Sequence, residues 1–142
     1  MTFGGDELGL HRERRRLRAV VADDDEGMRR LLAAVLELDG WEVRCAADGD
    51  EAVSMSEGYE PDAVFLDVRM PGSDGISALR RLRQTEAGRG YAIVMVSGAD
   101  DPDAESEAAE AGADDYLLKT LAIDDVSERA LRLVNETSLP VE

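Results

Sequence analysis

Four short, mostly apolar runs and one segment that alternates apolar with charged residues set the strongest constraint on how this chain can fold. They are Leu17 to Ala22, Trp41 to Ala46, Ala63 to Leu66, Tyr91 to Val96 and Asp115 to Leu118. Each is followed by a segment with helical spacing. Met28, Leu31, Leu32, Val35, Leu36 and Leu38 recur in this way and stop at Asp39-Gly40. Asp48 is placed to cap a helix carrying Ala52, Val53 and Met55, with a break at Gly58 and Pro61. Ile76, Leu79 and Leu82 predict the third helix. Ala104, Ala108 and Ala111 predict a thin fourth face, and Val126, Ala130, Leu133 and Val134 the last. Strands that read as continuous apolar runs are buried on both faces. Such strands belong to a parallel sheet with right-handed helical crossovers, which is an α/β fold. Ligands in these sheets bind beyond the carboxyl ends of the strands.

At 142 residues, with 44% hydrophobic content, the chain can build one domain with a real core. The boundaries read as a Gly-rich, then basic tail over 1–16, a folded unit over 17–136 and a short tail over 137–142. The basic tail carries Arg12, Arg14, Arg15 and Arg16, and reads as a solvated arm or as an electrostatic tether to an acidic body or a partner. No apolar run approaches the ~20 residues needed to cross a bilayer. Cys45 is the only cysteine, which excludes an internal disulfide and makes a reducing cytoplasm the expected setting. A formal net charge of −16 argues against direct contact with nucleic acid or an anionic membrane, because phosphate groups need basic surface. It suits a basic partner surface or a divalent cation.

The strand ends carry the chemistry. Asp23-Asp24-Asp25 follows the first run, Asp67 the third, Ser97 the fourth and Lys119 the fifth. Lys119 is the only lysine among fifteen arginines. A lysine offers a compact point charge on a flexible stem, suited to a carboxylate or phosphoryl oxygen in a tight cleft. Asp23, Asp24 and Asp67 are expected to converge. Three close carboxylates repel and raise at least one pKa unless a cation neutralises them. Oxygen-only ligands select a hard ion, and a partly open site suits Mg2+. The plainer reading of the triplet alone is helix capping.

These segments resemble the receiver domain of the two-component response regulator family over roughly Leu17 to Glu136. Val20-Val21-Ala22-Asp23-Asp24-Asp25 resembles its acidic pair, and the stretch from Asp67 to Gly75 its phosphoacceptor segment. Met95-Val96-Ser97-Gly98 resembles its hydroxyl segment, and Gly112 to Lys119 its lysine segment. The resemblance implies a doubly wound, flavodoxin-like fold of five parallel strands in the order 2-1-3-4-5 with five helices. It implies that Asp67 accepts a phosphoryl group from the phosphohistidine of a sensor histidine kinase or phosphotransfer protein. It implies that Asp24, Asp67 and the backbone carbonyl of Arg69 hold Mg2+, with Asp23 acting through water. Lys119 and Ser97 would answer the phosphoryl oxygens, and Gly98 would leave the approach open. Tyr116 would be the switch aromatic, and a downstream protein target would read the face built from 101–136. The covalent phosphate would turn over slowly, so the chain is expected to be a switch rather than an enzyme.

Two other readings compete. A phosphatase of the haloacid dehalogenase type also uses an Asp nucleophile, Mg2+, a Ser or Thr and a Lys. It needs a second acid two residues after the nucleophile, where this chain has Arg69, which cannot act as a general acid at neutral pH. A phosphorylation-independent interaction module of the same fold is disfavoured by the presence of Asp23, Asp24, Asp67, Ser97 and Lys119 together. Two departures from the family pattern carry expectations. Lys119 is followed by Thr120 rather than proline, which predicts a trans bond and a shifted loop. The triplet is followed by Glu26-Gly27, which predicts a late start to the first helix.

Overall fold

A computed structural model of the protein describes residues 16–70, 72, 74–98, 101–119 and 125–138. The tail before Arg16, Ala99 and the Lys119–Thr120 bond with its following loop lie outside the described residues.

The five segments form five parallel strands. They are β1 (Arg18–Ala22), β2 (Glu42–Ala46), β3 (Ala63–Asp67), β4 (Ala92–Ser97) and β5 (Asp115–Leu118). Their spatial order is β2-β1-β3-β4-β5, as the resemblance implied. The helices between them are α1 (Glu26–Leu38), α2 (Gly49–Tyr59), α3 (Gly75–Arg83), α4 (Pro102–Ala111) and α5 (Val126–Ser138). Alternation along the strands divides the core in two. Val20, Val64, Leu66, Ile93 and Met95 face α2, α3 and α4, meeting Ala52, Leu79, Leu82 and Ala108. Val21, Phe65, Val94 and Val96 face α1 and α5, meeting Leu32, Leu36, Ala130 and Val134. Helices on both faces are what a parallel sheet requires, since neither face can be left to water.

Aspartates start four of the helices. Asp25 accepts from the backbone N–H of Gly27 and Met28, Asp48 from Glu51, Asp74 from Ser77 and Asp101 from Ala104. A side-chain oxygen there satisfies donors that the first helical turn leaves without partners. The cap at Asp25 corrects one expectation: α1 starts at Glu26, directly after the triplet. A second correction concerns α2, which runs through Gly58 to Tyr59 and ends at Glu60 in the left-handed region, φ 54°. The glycine costs about 1 kcal/mol relative to alanine. Tyr59 offsets that loss: it is buried, and its hydroxyl donates to the Glu42 carbonyl at 3.0 Å. Arg18 and Arg44 lie over its ring, 5.3 and 4.3 Å from the centroid.

Arg83, at the end of α3, ties together elements that are far apart in sequence. Its guanidinium donates to the carbonyls of Gly88 at 2.7 Å, Tyr91 at 2.8 Å and Gly112 at 2.9 Å, and pairs with Asp114 at 2.8 Å. Asp114 in turn accepts from the backbone N–H of Ile93. The 3-10 turn Ala87–Gly90, the start of β4 and the C-terminus of α4 are thus joined at one side chain.

Candidate functional site

Parallel register brings the carboxyl ends of β1, β3, β4 and β5 to one edge of the sheet, and with them the residues singled out above. Asp67 closes β3 and is buried. Ser97 closes β4 and is buried. Lys119 follows β5, with its amide donating to the Ser97 carbonyl at 2.8 Å. Its ammonium lies 2.8 Å from Asp23 Oδ2 and 3.3 Å from Asp67 Oδ2. Asp67, Arg69, Ser97, Gly98 and Lys119 line a pocket of about 210 Å³.

The acidic triplet divides into three roles. Asp23 is fully buried, pairs with Lys119 and accepts from the Asp25 N–H through Oδ1 at 2.9 Å. Asp24 is exposed, on the rim. Asp25 is the cap of α1. Carboxylate oxygens of Asp23, Asp24 and Asp67 lie within 4.8 Å of one another. One ammonium cannot neutralise three carboxylates. The consequence falls on Asp67, whose pKa rises from 3.8 to about 6, chiefly through burial and then through the charge of Asp23. Lys119 and the Arg69 N–H, 3.4 Å from Asp67 Oδ1, offset only part of this. Burial alone would pull the Lys119 pKa down. Its hydrogen bond to Asp23 and the charges of Asp67 and Asp23 outweigh that and raise it, so it stays cationic. The donor set is all oxygen and carries excess negative charge, which fits a hard divalent cation such as Mg2+.

Two glycines near Asp67 differ in what they permit. A Cβ on Gly75 would sit 2.0 Å from the Asp67 carbonyl oxygen, so the turn before α3 has room only for hydrogen. A Cβ on Gly98 would meet the Lys119 stem at 3.9 Å, an ordinary contact. Tyr116 lies on β5, half-buried and packed against the α4 side of the core. Its hydroxyl is buried and has no hydrogen-bond partner among the described residues. The Arg69 side chain reaches across to Asp101, with Nη2 3.0 Å from Oδ2. Sequence reasoning flagged Arg69 but not its partner. The only local signal was an Asp directly before the helix-starting Pro102.

A receiver-type fold with an acidic, lysine-bearing edge is what this structure defines, and comparison with known proteins agrees on the fold and family. The chain belongs to the response regulator receiver domain family, which matches residues 19–131. It is 38% identical over 122 residues to the response regulator MprA of Mycobacterium sp. (strain KMS), covering 86% of this chain and 52% of that protein. The chain therefore spans about half the length of the curated relatives it matches. Among solved structures, the receiver domain of the Francisella response regulator 1452 superposes with a TM-score of 0.78 at 30% identity, over 87% of this chain and all of that one. A CheY-like receiver domain protein from Methanospirillum hungatei JF-1 reaches a TM-score of 0.80 at 24% identity, over 87% of this chain and 97% of that one, a likeness of fold. Family membership makes this a two-component phosphorelay signalling domain, of the kind that works with histidine kinases and downstream effectors. Among the described residues, no helix is long and apolar enough to cross a membrane.

Proposed function

We propose that Asp67 is the phosphoacceptor and that its modification is the signal. The observation that carries this reading is the pocket in which the Asp67 carboxylate, the Ser97 side chain and the Lys119 ammonium face one another. An oxygen of Asp67 attacks the phosphorus of a phosphohistidine on the partner kinase or phosphotransfer protein. The P–N bond breaks, and the histidine leaves as an imidazole that takes its proton from water. The product is an aspartyl phosphate. Transfer of this kind depends on positioning and on neutralising the oxygens of the moving group. Lys119 supplies the fixed positive charge, and the Ser97 hydroxyl, at the end of β4, donates to a phosphoryl oxygen. Mg2+ would be held by Asp24, Asp67 and the Arg69 carbonyl, with Asp23 behind them, and when bound supplies the remaining charge neutralisation. The two residues after Asp67 offer no general acid, so hydrolysis is slow and the modified state persists.

The readout proceeds through the face formed by 101–136. Phosphorylation replaces the single negative charge of the Asp67 carboxylate with a group carrying about −1.5 to −2 and three strong acceptor oxygens at the edge of the sheet. Tyr116 borders a cleft of about 230 Å³ with Glu105, Ala108 and Asp115, between α4 and β5. Its buried hydroxyl, without a partner among the described residues, marks a side chain with reason to move when Ser97 and α4 shift. A lone exposed cysteine supports a reducing, cytoplasmic setting. The test is intact mass after incubation with Mg2+ and a small-molecule phosphodonor. One phosphoryl adduct is expected on the wild type and none on Asp67→Asn. No adduct on the wild type, or an adduct on both, refutes the assignment.

A further inference from the structure

Arg69 stands between two hollows. It lines the 210 Å³ pocket beside Asp67 and also a groove of about 560 Å³ bounded by Asp24, Asp74, Asp101 and Glu107. Its backbone N–H faces Asp67 Oδ1, while its guanidinium pairs with Asp101 Oδ2. The other oxygen of Asp101 accepts from the Ala104 N–H at 3.1 Å. One carboxylate therefore both caps α4 and holds the residue two positions beyond Asp67. The rest of the attachment of α4 is lopsided. Its buried face is Ala104 and Ala108, which offer little area. Its middle is held to α3 by an exposed pair, Arg80 to Glu107 at 3.1 Å, and its C-terminus by Arg83 on the Gly112 carbonyl. The N-terminal end of α4 is tied across to the Asp67 loop by Arg69.

We propose that Arg69 is a phosphoryl-responsive latch. It pairs with Asp101 while Asp67 is unmodified, and it transfers to the phosphoryl oxygens when Asp67 is modified, untying the first turn of α4. The inference rests on the reading of Asp67 as phosphoacceptor. Charge makes the exchange favourable: the new group carries nearly twice the charge of Asp101. The existing pair is weak because the Arg69 side chain is 77% exposed. A guanidinium fork matches two phosphoryl oxygens. Lys119 cannot do this work alone, because Asp23 already shares it. Arg83 leaves the far end of α4 anchored, so the helix swings from its N-terminus.

Asp101→Asn separates the latch from the cap, since asparagine caps a helix as well as aspartate but cannot pair with a guanidinium. Beryllium fluoride with Mg2+, a stable mimic of the aspartyl phosphate, is titrated calorimetrically into wild type, Asp101→Asn, Arg69→Ala and the double variant. Asp101→Asn is expected to bind about 2- to 5-fold tighter, because Arg69 no longer has to be withdrawn from a partner. Arg69→Ala binds more weakly, Arg69→Lys recovers part of the loss, and Asp101→Asn has no effect when combined with Arg69→Ala. Hydrogen exchange in the first turn of α4 rises on mimic binding in the wild type and is already raised in Asp101→Asn. An Asp101 effect that survives removal of Arg69, or no effect in either background, overturns the latch alone. Failure of the wild type to bind the mimic overturns the phosphoacceptor reading and the latch with it.

Discussion

Replacing Asp67 with Asn is expected to stabilise the protein, and the gain should grow with pH. In the folded state, burial and the neighbouring Asp23 charge hold the Asp67 pKa at about 6, against 3.8 for a free carboxyl. Between those values the folded protein keeps a proton that the unfolded chain releases. Stability therefore falls as pH rises through that window and stays lower above it. The full difference corresponds to about 3 kcal/mol, and water at the mouth of the pocket reduces it to about 1–2 kcal/mol. Asparagine removes the charge and keeps an oxygen to accept from the Arg69 N–H, and Lys119 retains Asp23. For a domain of this size, melting should rise by about 3–10 °C at pH 8 and scarcely at all at pH 4. The assay is thermal unfolding followed by circular dichroism across that range in a chelator. Adding Mg2+ should stabilise the wild type more than the variant and narrow the gap. Asp67→Asn melting at or below the wild type at pH 8 in chelator would refute the reasoning, as would a gap independent of pH.

Other substitutions test separate parts of the same structure. Lys119→Ala leaves the fully buried Asp23 without its cation and should cost about 3–5 kcal/mol in urea unfolding at neutral pH. Combining it with Asp67→Asn should recover part of that loss, and strict additivity would argue against a shared cluster. Arg83→Ala should cost about 2–4 kcal/mol, because the carbonyls of Gly88, Arg89, Tyr91 and Gly112 and the Asp114 carboxylate lose a shared donor; a loss below about 0.5 kcal/mol would dismiss the hub. Gly75→Ala should both destabilise the fold by more than about 2 kcal/mol and impair phosphoryl uptake, since its methyl would meet the Asp67 carbonyl. Gly98→Ala should stay within about 0.5 kcal/mol of the wild type, and a large loss there would show the pocket to be tighter than its geometry.

Much of this protein is local, and what is local could be read from the chain. Buried runs alternating with helical segments gave the number of strands and their parallel direction, because a segment apolar on both faces has no stable place except inside a parallel sheet, while their spatial order came only with the family resemblance. Parallel strands then had to present Asp23, Asp67, Ser97 and the approach to Lys119 at the same edge. The caps at Asp48 and in the acidic triplet were visible for the same reason, since a cap acts within three residues of itself, while those at Asp74 and Asp101 emerged only with the structure. Two boundaries escaped that logic. Asp25 starts α1 without a proline, and Tyr59 holds α2 together through Gly58 by contacts with Arg18, Arg44 and Glu42, which lie on other strands.

Tertiary structure decided the rest. The family resemblance separates Asp23 and Asp24 from Asp25 in the triplet, yet only the fold buries Asp23 against Lys119, leaves Asp24 on the rim and places Asp25 as the cap of α1. Neither the 2.0 Å approach at Gly75 nor the looser 3.9 Å contact at Gly98 leaves a trace in composition. The partners of Arg69 and Arg83 were equally invisible. With 32 acidic residues and long, flexible arginine side chains, sequence allows almost any pairing. Coulomb energy depends on distance through space, and only the packed sheet and its helices set that distance: Arg69 against Asp101, and Arg83 against Asp114.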